Sequence, residues 1–240
     1  MPSGRKPVRA SFDRVAILRN HPIFGGLGAG LLEPLASQAI RQSVGRGKAI
    51  FTRGDPGTKL FAVISGTVKI SAPSAKGKSA VFNLITDGEI IGEIALLDGL
   101  PRTADATAIT DCELMVIERR DFIPLVSSEP DVAFKLIELL CKRLRHTTEQ
   151  LEDVMFLDLP GRLAKVLLQL AKPAARGATV TLTQRHLGEI IGMSRESTNK
   201  QLRAWQDRDW VRLEQGRIAI LAPDALAGIA VDGAAVRRGR

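Results

Sequence analysis

From Pro130 to Phe156 the chain has no glycine and, after Pro130 itself, no proline, and this stretch constrains the fold more than any other. Its residues are good helix formers, so the sequence predicts one long helix here. Apolar residues recur at steps of three and four with a single gap, at Ile137, Leu140, Leu144, Leu151 and Val154. That spacing is typical of a coiled-coil seam. We therefore expect a partner helix, most simply the same helix of a second subunit.

Thr147 fills the gap in this seam. A polar residue at such a position costs stability, and in other coiled coils it sets the register of the helices. Register setting is one explanation for Thr147.

Short β segments separated by glycine, aspartate and proline fill the region from Ser43 to Glu118. The stretches KAIFTRGDPG and KLFAVISGTVKIS show this pattern, and Ser65–Gly66 is predicted as a hairpin turn between two alternating strands. Several short strands at regular spacing indicate a small barrel or jelly roll.

The composition excludes several classes of protein. The 240 residues contain no apolar stretch near the ~20 residues of a membrane helix, and the first residues lack the apolar core of a secretory signal. Cys112 and Cys141 are too few for a disulfide framework or a four-thiolate cluster, so we expect a cytoplasmic protein. His21, His146 and His186 lack metal-ligand spacing, which favours surface or capping roles and no metal site. No nucleophile–base set indicates an enzyme.

The net charge of +8 is concentrated towards the C-terminus. From Asp158 onward there are 14 lysine and arginine residues against 8 aspartate and glutamate residues, whereas the first 157 residues have 20 against 18. This excess indicates a polyanionic partner for the C-terminal third. Solubility together with a basic tail is the alternative explanation.

Two helices are predicted in TQRHLGEIIGMSRESTNKQLRAWQDRDW, with a break at Gly192–Met193. Thr183 and Ser194 are suited to cap the two N-termini, and Gly192 permits a left-handed turn between the helices. The segment VRLEQGRIAIL is predicted to follow as a hairpin around Gln215–Gly216. Before this pair, Asp158 is suited to cap another helix that has Pro160 in its first turn, so Asp158–Gly161 is a natural hinge.

In the second helix of the pair, Thr198, Leu202 and Trp205 are spaced to face inward. The outward face is then rich in groups that read a major groove, since arginine binds guanine, glutamate accepts from cytosine and lysine binds phosphate or guanine. A solvated surface is the alternative. The hairpin would act as a wing. The predicted DNA-binding residues are Thr183, Arg185, Ser194, Arg195, Glu196, Asn199, Lys200, Arg203 and Arg217.

The stretch GEIALLDGLPRTADA, from Gly92 to Ala106, places an acid, a guanidinium and a hydroxyl among small and apolar residues. Glu93 is suited to accept a hydrogen bond from a ribose hydroxyl, and Arg102 and Thr103 to donate to a phosphate. A helical turn over Ile94–Leu97 would add backbone N–H groups. For an isolated pair, a surface salt bridge of little energetic value would explain the same residues.

This stretch resembles the phosphate-binding cassette of cyclic-nucleotide-binding domains, and GDPGTKLFAVISGTVKI resembles the strands that precede it. FLDLPGRLAKVLLQLA and LTQRHLGEIIGMSRESTNKQLRAW resemble the catabolite activator branch of the CRP/FNR regulators. The resemblance implies an α+β protein: a disordered arm (1–11), a cyclic-nucleotide-binding β-roll or jelly roll (12–129), a dimerisation helix (130–157), a winged helix-turn-helix (158–227) and a basic tail (228–240).

The resemblance also implies an allosteric homodimer that binds double-stranded DNA and RNA polymerase and responds to cAMP. Thr147 and Thr148 would contact the base, one from each subunit, which is a second explanation for the polar gap in the seam. The implied nucleotide-binding residues are Gly92, Glu93, Ile94, Ala95, Arg102, Thr103, Thr147 and Thr148. A response to cGMP, activity without nucleotide, and a regulatory module of a kinase or channel are the alternatives.

Overall fold

The structure, a computed structural model, describes residues 13–73, 79–174 and 177–232. The predicted arm at 1–11 and the last eight residues of the predicted basic tail lie outside the described residues. The helices are α1 (Arg14–Asn20), α2 (Ala29–Gln38), α3 (Glu93–Asp98), α4 (Arg119–Ser128), α5 (Pro130–Phe156), α6 (Leu159–Leu170), α7 (Gln184–Ile191), α8 (Arg195–Gln206) and α9 (Pro223–Asp232). The strands are β1 (Ile40–Val44), β2 (Ala49–Phe51), β3 (Lys59–Ser65), β4 (Val68–Pro73), β5 (Ser79–Ile85), β6 (Ile90–Ile91), β7 (Asp105–Ala108), β8 (Cys112–Glu118), β9 (Lys172–Ala174), β10 (Gly177–Val180), β11 (Val211–Glu214) and β12 (Arg217–Ile220).

These elements form two units. The first contains the described residues up to 69 and those from 85 to 138, and the second contains the described residues from 70 to 84 and from 139 onward. Helix α5 begins in the first unit and ends in the second. No helix within the described ranges is both long enough and apolar enough to span a membrane.

One sheet of the first unit has the order β1-β8-β3-β6, with every pair antiparallel. Consecutive residues at the centre of β3 (60–63) and of β8 (114–117) are buried, so both faces of this sheet are covered. In a second sheet β2 pairs antiparallel with β7. The β-roll predicted for this part of the chain is therefore confirmed.

The hairpin predicted at Ser65–Gly66 is wrong, because β3 and β4 belong to different sheets. Gly66 has φ +104°, and a side chain there would meet the backbone of Asp111 and Cys112. The next residue, Thr67, donates its N–H to Thr110 Oγ1 at 2.8 Å and accepts from the N–H of Ile109 at 2.9 Å. These bonds direct the chain from one sheet into the other. The alternation of apolar and polar residues within two short strands cannot reveal that the strands belong to different sheets.

Helix α5 has 27 residues, as the lack of glycine and proline predicted. Val132 and Leu136 anchor its first part in the core of the first unit. The seam is uncovered in the single chain, where the side chains of Ile137, Leu144, Leu151 and Val154 are between 55% and 69% exposed. In the second unit Gln150 Nε2 donates to the backbone oxygen of Phe82 at 2.9 Å and thereby fastens β5 to α5.

The C-terminal part of the second unit combines α6 to α9 with a sheet of order β11-β12-β10-β9. Asp158 caps α6 by accepting from the N–H of Gly161 at 2.9 Å, as predicted. Leu163, Leu187 and Leu202 are fully buried in a shared core, which also includes Trp205. The predicted wing is confirmed, since β11 and β12 form a hairpin in which Glu214 pairs with Arg217.

His21 is buried, so the surface role expected for it is wrong. The capping role is confirmed, because His21 is the C-cap of α1 and its N–H donates to the backbone oxygen of Leu18 at 3.1 Å. Its Nδ1 accepts from the N–H of Ile23 at 3.2 Å, and its ring lies 5.0 Å from that of Phe24. Burial lowers the pKa of His21 to about 4, with the backbone of Glu89 opposing the shift. The folded protein therefore holds this imidazole neutral at pH 7.

We predict that stability falls as the pH drops from about 6.5 to about 4, because in this window the unfolded chain binds a proton at His21 that the folded chain does not. The loss is about 3 kcal/mol at full protonation, and above pH 6.5 this contribution is intact. Urea unfolding at pH 7.5, 5.5 and 4.5 measures it. His21→Gln retains an acceptor for Ile23 but does not titrate, so its stability changes less over the same range; equal pH profiles of the two proteins would contradict the prediction.

Candidate functional site

Helix α3 opens the cassette and is bounded by two glycines in the left-handed region, Gly92 at φ +87° and Gly99 at φ +75°. No side chain caps its N-terminus. A side chain at Gly92 would collide with the guanidinium of Arg102 and with the backbone oxygen of Lys59. Two features therefore require glycine at this position: the left-handed backbone conformation and the close approach of the Arg102 side chain.

Arg102 is only 4% exposed although it carries a charge. Its Nη1 donates to the backbone oxygen of Gly92 at 2.8 Å and its Nη2 to that of Lys59 at 2.6 Å. The guanidinium carbon lies 4.4 Å from the ring centroid of Phe51. Buried Nε has no hydrogen-bond partner among the described residues. A buried cation held this way retains donor capacity, which suits an anionic ligand.

Glu93, the first residue of α3, is 1% exposed, so the cassette holds a carboxylate and a guanidinium in its interior. Burial lowers the pKa of Arg102, and the charges of Glu93 and Asp55 oppose that shift. The salt bridge on the surface that would have explained an isolated Glu–Arg pair is therefore excluded. Ile94 is 43% exposed, Ala95 is buried, and Thr103 is exposed next to Arg102.

The loop from Thr52 to Gly57 contributes residues that the sequence analysis missed. The backbone oxygen of Asp55 accepts from the N–H of Arg102 at 2.9 Å. The Asp55 carboxylate accepts from the N–H of Thr52 at 2.8 Å, and this bond lowers the pKa of Asp55. A side chain at Gly57 would overlap Ala95 of α3. The GDPG motif in the sequence indicated a turn, but it did not indicate that this turn packs on α3.

Thr147 and Thr148 lie on the part of α5 that belongs to the second unit. Both residues are exposed. Their hydroxyls donate to the backbone oxygens of Arg143 at 2.9 Å and Leu144 at 3.0 Å, one turn earlier on the same helix. The helix thus satisfies both hydroxyl donors, while their oxygens can still accept.

Helices α7 and α8 have the predicted caps. Thr183 accepts from the N–H of His186 at 3.2 Å, and Ser194 accepts from the N–H of Ser197 at 3.1 Å. Gly192 ends α7 at φ +75°. A side chain at Gly188 would come within 2.9 Å of Thr198 Oγ1, so glycine there allows the two helices to approach closely.

The face of α8 predicted to be buried is buried: Thr198, Leu202 and Trp205 are each at most 1% exposed. On the other face Arg195, Glu196, Lys200 and Arg203 are exposed and Asn199 is half-buried. Two further predicted residues are engaged in ion pairs at the surface, Arg185 with Glu189 at 3.0 Å and Arg217 with Glu214 at 2.9 Å.

Comparison with family models matches both parts of the chain. The model described as a cyclic nucleotide-binding domain matches residues 41–129, and the model described as a Crp-like helix-turn-helix domain matches residues 161–229.

Curated relatives and solved structures extend this similarity over most of the chain. A "CRP-like cAMP-activated global transcriptional regulator" of Mycobacterium tuberculosis is 34% identical over 217 residues, which cover 88% of this chain and 97% of the relative. The "Cyclic AMP receptor protein" of Thermus thermophilus is 32% identical over 213 residues, 89% of this chain and 98% of the relative. The structure of the c-di-GMP-responsive global regulator CLP of Xanthomonas campestris aligns with a TM-score of 0.72 and 25% identity, over 80% of this chain and 99% of that one. On these similarities and on the two domains described above, the chain belongs to the CRP/FNR family of transcription regulators, with a domain that binds cyclic nucleotides and a helix-turn-helix that binds DNA.

Proposed function

We propose that this protein is a cAMP-responsive transcription regulator that acts as a homodimer in the cytoplasm and binds a roughly palindromic DNA site. The observation that carries the proposal is the interior of the cassette, where buried Glu93 and Arg102 lie at the uncapped start of α3. A buried guanidinium that still has an unpartnered nitrogen supports an anionic ligand such as a cyclic phosphate.

In this proposal Arg102 and Thr103 bind the cyclic phosphate and Glu93 accepts the ribose 2′-hydroxyl. The backbone at Gly92, Ile94 and Ala95 completes the phosphate site, since the first amides of α3 have no side-chain cap. The carbonyls of Gly92 and Lys59 hold the guanidinium in a fixed orientation, so that little conformational entropy is lost when the ligand binds.

Thr147 and Thr148 are proposed as the residues that contact the base, one from each subunit. Their oxygens have acceptor capacity left and suit the exocyclic amino group of adenine. The choice of cAMP over cGMP rests on this chemistry and on the named activity of the relatives at 34% and 32% identity. The CLP regulator responds to another nucleotide, so binding has to be measured with cAMP and cGMP side by side.

The uncovered seam of α5 supports the homodimer. Large apolar side chains along this helix are between 55% and 69% exposed, among them Phe134, Ile137, Leu144, Leu151 and Val154. An exposed apolar stripe of this length is unfavourable in water. Packing against the same stripe of a second chain would bury it.

The exposed face of α8 is proposed to enter the major groove. Arg195, Glu196, Asn199 and Lys200 would read bases, while Arg203 and Arg217 would contact the DNA backbone. Thr183, Arg185 and Ser194 lie at the starts of α7 and α8, where a phosphate is favourable. In a dimer the two copies of α8 would bind half-sites about one helical turn (~34 Å) apart.

The proposed switch is a shift between two orientations of the DNA-binding helices about Asp158–Gly161. The nucleotide shifts this equilibrium only by its differential affinity for the two states. RNA polymerase is the proposed partner of the DNA-bound dimer, as expected for a member of this family.

Arg102→Ala is predicted to weaken cAMP binding by ~10- to 150-fold, the equivalent of ~1.5–3 kcal/mol for hydrogen bonds to a charged group. Isothermal titration calorimetry with cAMP and cGMP measures this loss, and circular dichroism establishes that the variant is folded. Arg46→Ala, which removes an exposed arginine of the same unit, is the matched control. Unchanged cAMP affinity in folded Arg102→Ala would refute the phosphate assignment.

Leu144→Glu is predicted to shift the protein from dimer to monomer. Desolvating a carboxylate in the seam costs several kcal/mol, so the association constant should fall by at least ~100-fold. Sedimentation velocity over a concentration series measures the change. Lys142→Glu, two residues away on the opposite side of α5, leaves the dimer intact; a monomeric wild type would contradict the proposed assembly.

Glu196→Ala is predicted to relax the preference for one base pair in each half-site by ~1–3 kcal/mol. Arg203→Ala should instead weaken binding evenly across sequences and lower the salt dependence by ~1 phosphate contact per subunit. Selection from random DNA with cAMP, followed by anisotropy titrations at several salt concentrations, distinguishes the two effects. If neither variant differs from Arg46→Ala, α8 is not the reading helix.

A further inference from the structure

Helix α3 has little intrinsic stability. It is six residues long, and both of its caps are glycines without a side-chain hydrogen bond. Short helices leave most of their carbonyls without an intrahelical partner. The direction in which Glu93 points therefore depends on contacts that hold α3 from outside.

Arg119 supplies such a contact from a distant part of the chain. Its Nε donates to the backbone oxygen of Leu96 in the last turn of α3 at 2.8 Å, across 23 residues of sequence. This carbonyl lies at the negative end of the helix, where a cation is favourable.

The backbone of Arg119 binds the loop on which α3 packs. Its N–H donates to the backbone oxygen of Thr58 at 2.8 Å. Thr58 follows Gly57, which touches Ala95 of α3 so closely that a side chain could not fit. One residue thus joins the start of α4 to the loop and to the carbonyl end of α3, and α3 cannot rotate freely on the loop.

We propose that Arg119 is a positioning residue for nucleotide recognition: by holding the carbonyl end of α3 it orients Glu93 at the other end, and so sets the selectivity for a ribose 2′-hydroxyl. This inference rests on the proposed function, in which Glu93 accepts that hydroxyl. Arg119 does not itself touch the nucleotide.

The test compares cAMP with 2′-deoxy-cAMP by calorimetry on the full chain. Wild type is expected to prefer cAMP by ~10-fold or more, the value of a hydrogen bond to a carboxylate. Arg119→Met keeps the length of the side chain but removes its donors, and should reduce this preference by ~3-fold or more, a part of that hydrogen bond. In Arg119→Lys the lysine can still donate to the backbone oxygen of Leu96, so this variant should have most of the wild-type preference for cAMP. Arg120→Ala removes the neighbouring exposed arginine and serves as the control that keeps the wild-type ratio.

The ratio of the two affinities separates positioning from general destabilisation. If Arg119→Met weakens both ligands equally, or if Lys fails to restore the ratio in a folded protein, the positioning role is overturned. If the wild type binds cAMP and 2′-deoxy-cAMP equally well, Glu93 does not select for the 2′-hydroxyl, and the positioning role is overturned as well. A wild type that does not bind cAMP refutes the proposed function first, and the role of Arg119 with it.

Discussion

The buried guanidinium of Arg102 is the interaction on which the cassette depends. It joins the end of β6, the start of β3 and the ring of Phe51, which are far apart in the sequence. The backbone of the same residue binds the loop at Gly54 and Asp55. A charge in this position is unfavourable unless its donors are satisfied. The strands and the loop supply carbonyl oxygens to it, and the rings of Phe51 and Phe61 lie against it. The same arrangement leaves Nε without a partner among the described residues. In the proposed function the side chain that holds the strands and the loop together also binds the phosphate.

The helix-turn-helix part is stabilised in a different way. Its core is apolar and continuous from α6 to α9, and the buried hydroxyl of Thr198 in it donates to the backbone oxygen of Ser194 at 2.9 Å. The buried core of this part is contacted by the inner face of α8, and the charged residues of the outer face take no part in it. That separation leaves the outer face free to be chosen for recognition.

The sequence predicted the elements whose signals are local. Helix α5 follows from a glycine-free run, α6 to α8 from their capping residues, and the wing from Gln215–Gly216. It failed where the outcome depends on neighbours distant in sequence. Ser65–Gly66 has the composition of a hairpin turn, yet bonds from Thr67 to Ile109 and Thr110 carry the chain into another sheet. His21 has no local signal of burial, since only packed neighbours such as Phe24 exclude water from it.

Within the cassette the same division holds. The sequence alone determined which chemical groups are present and in what order: a glycine that permits a left-handed turn, an acid, a short helix and an arginine, because these are properties of residues a few positions apart. Only the tertiary structure decided that the acid and the arginine are buried, that Asp55 and Phe51 support Arg102, and that Arg119 holds the far end of α3. Those contacts join residues up to 51 positions apart in the sequence, as between Phe51 and Arg102. Residues so far apart come into contact only when the strands pair. Hydrogen-bond geometry at that range is a property of the folded sheet and is not encoded in any local pattern.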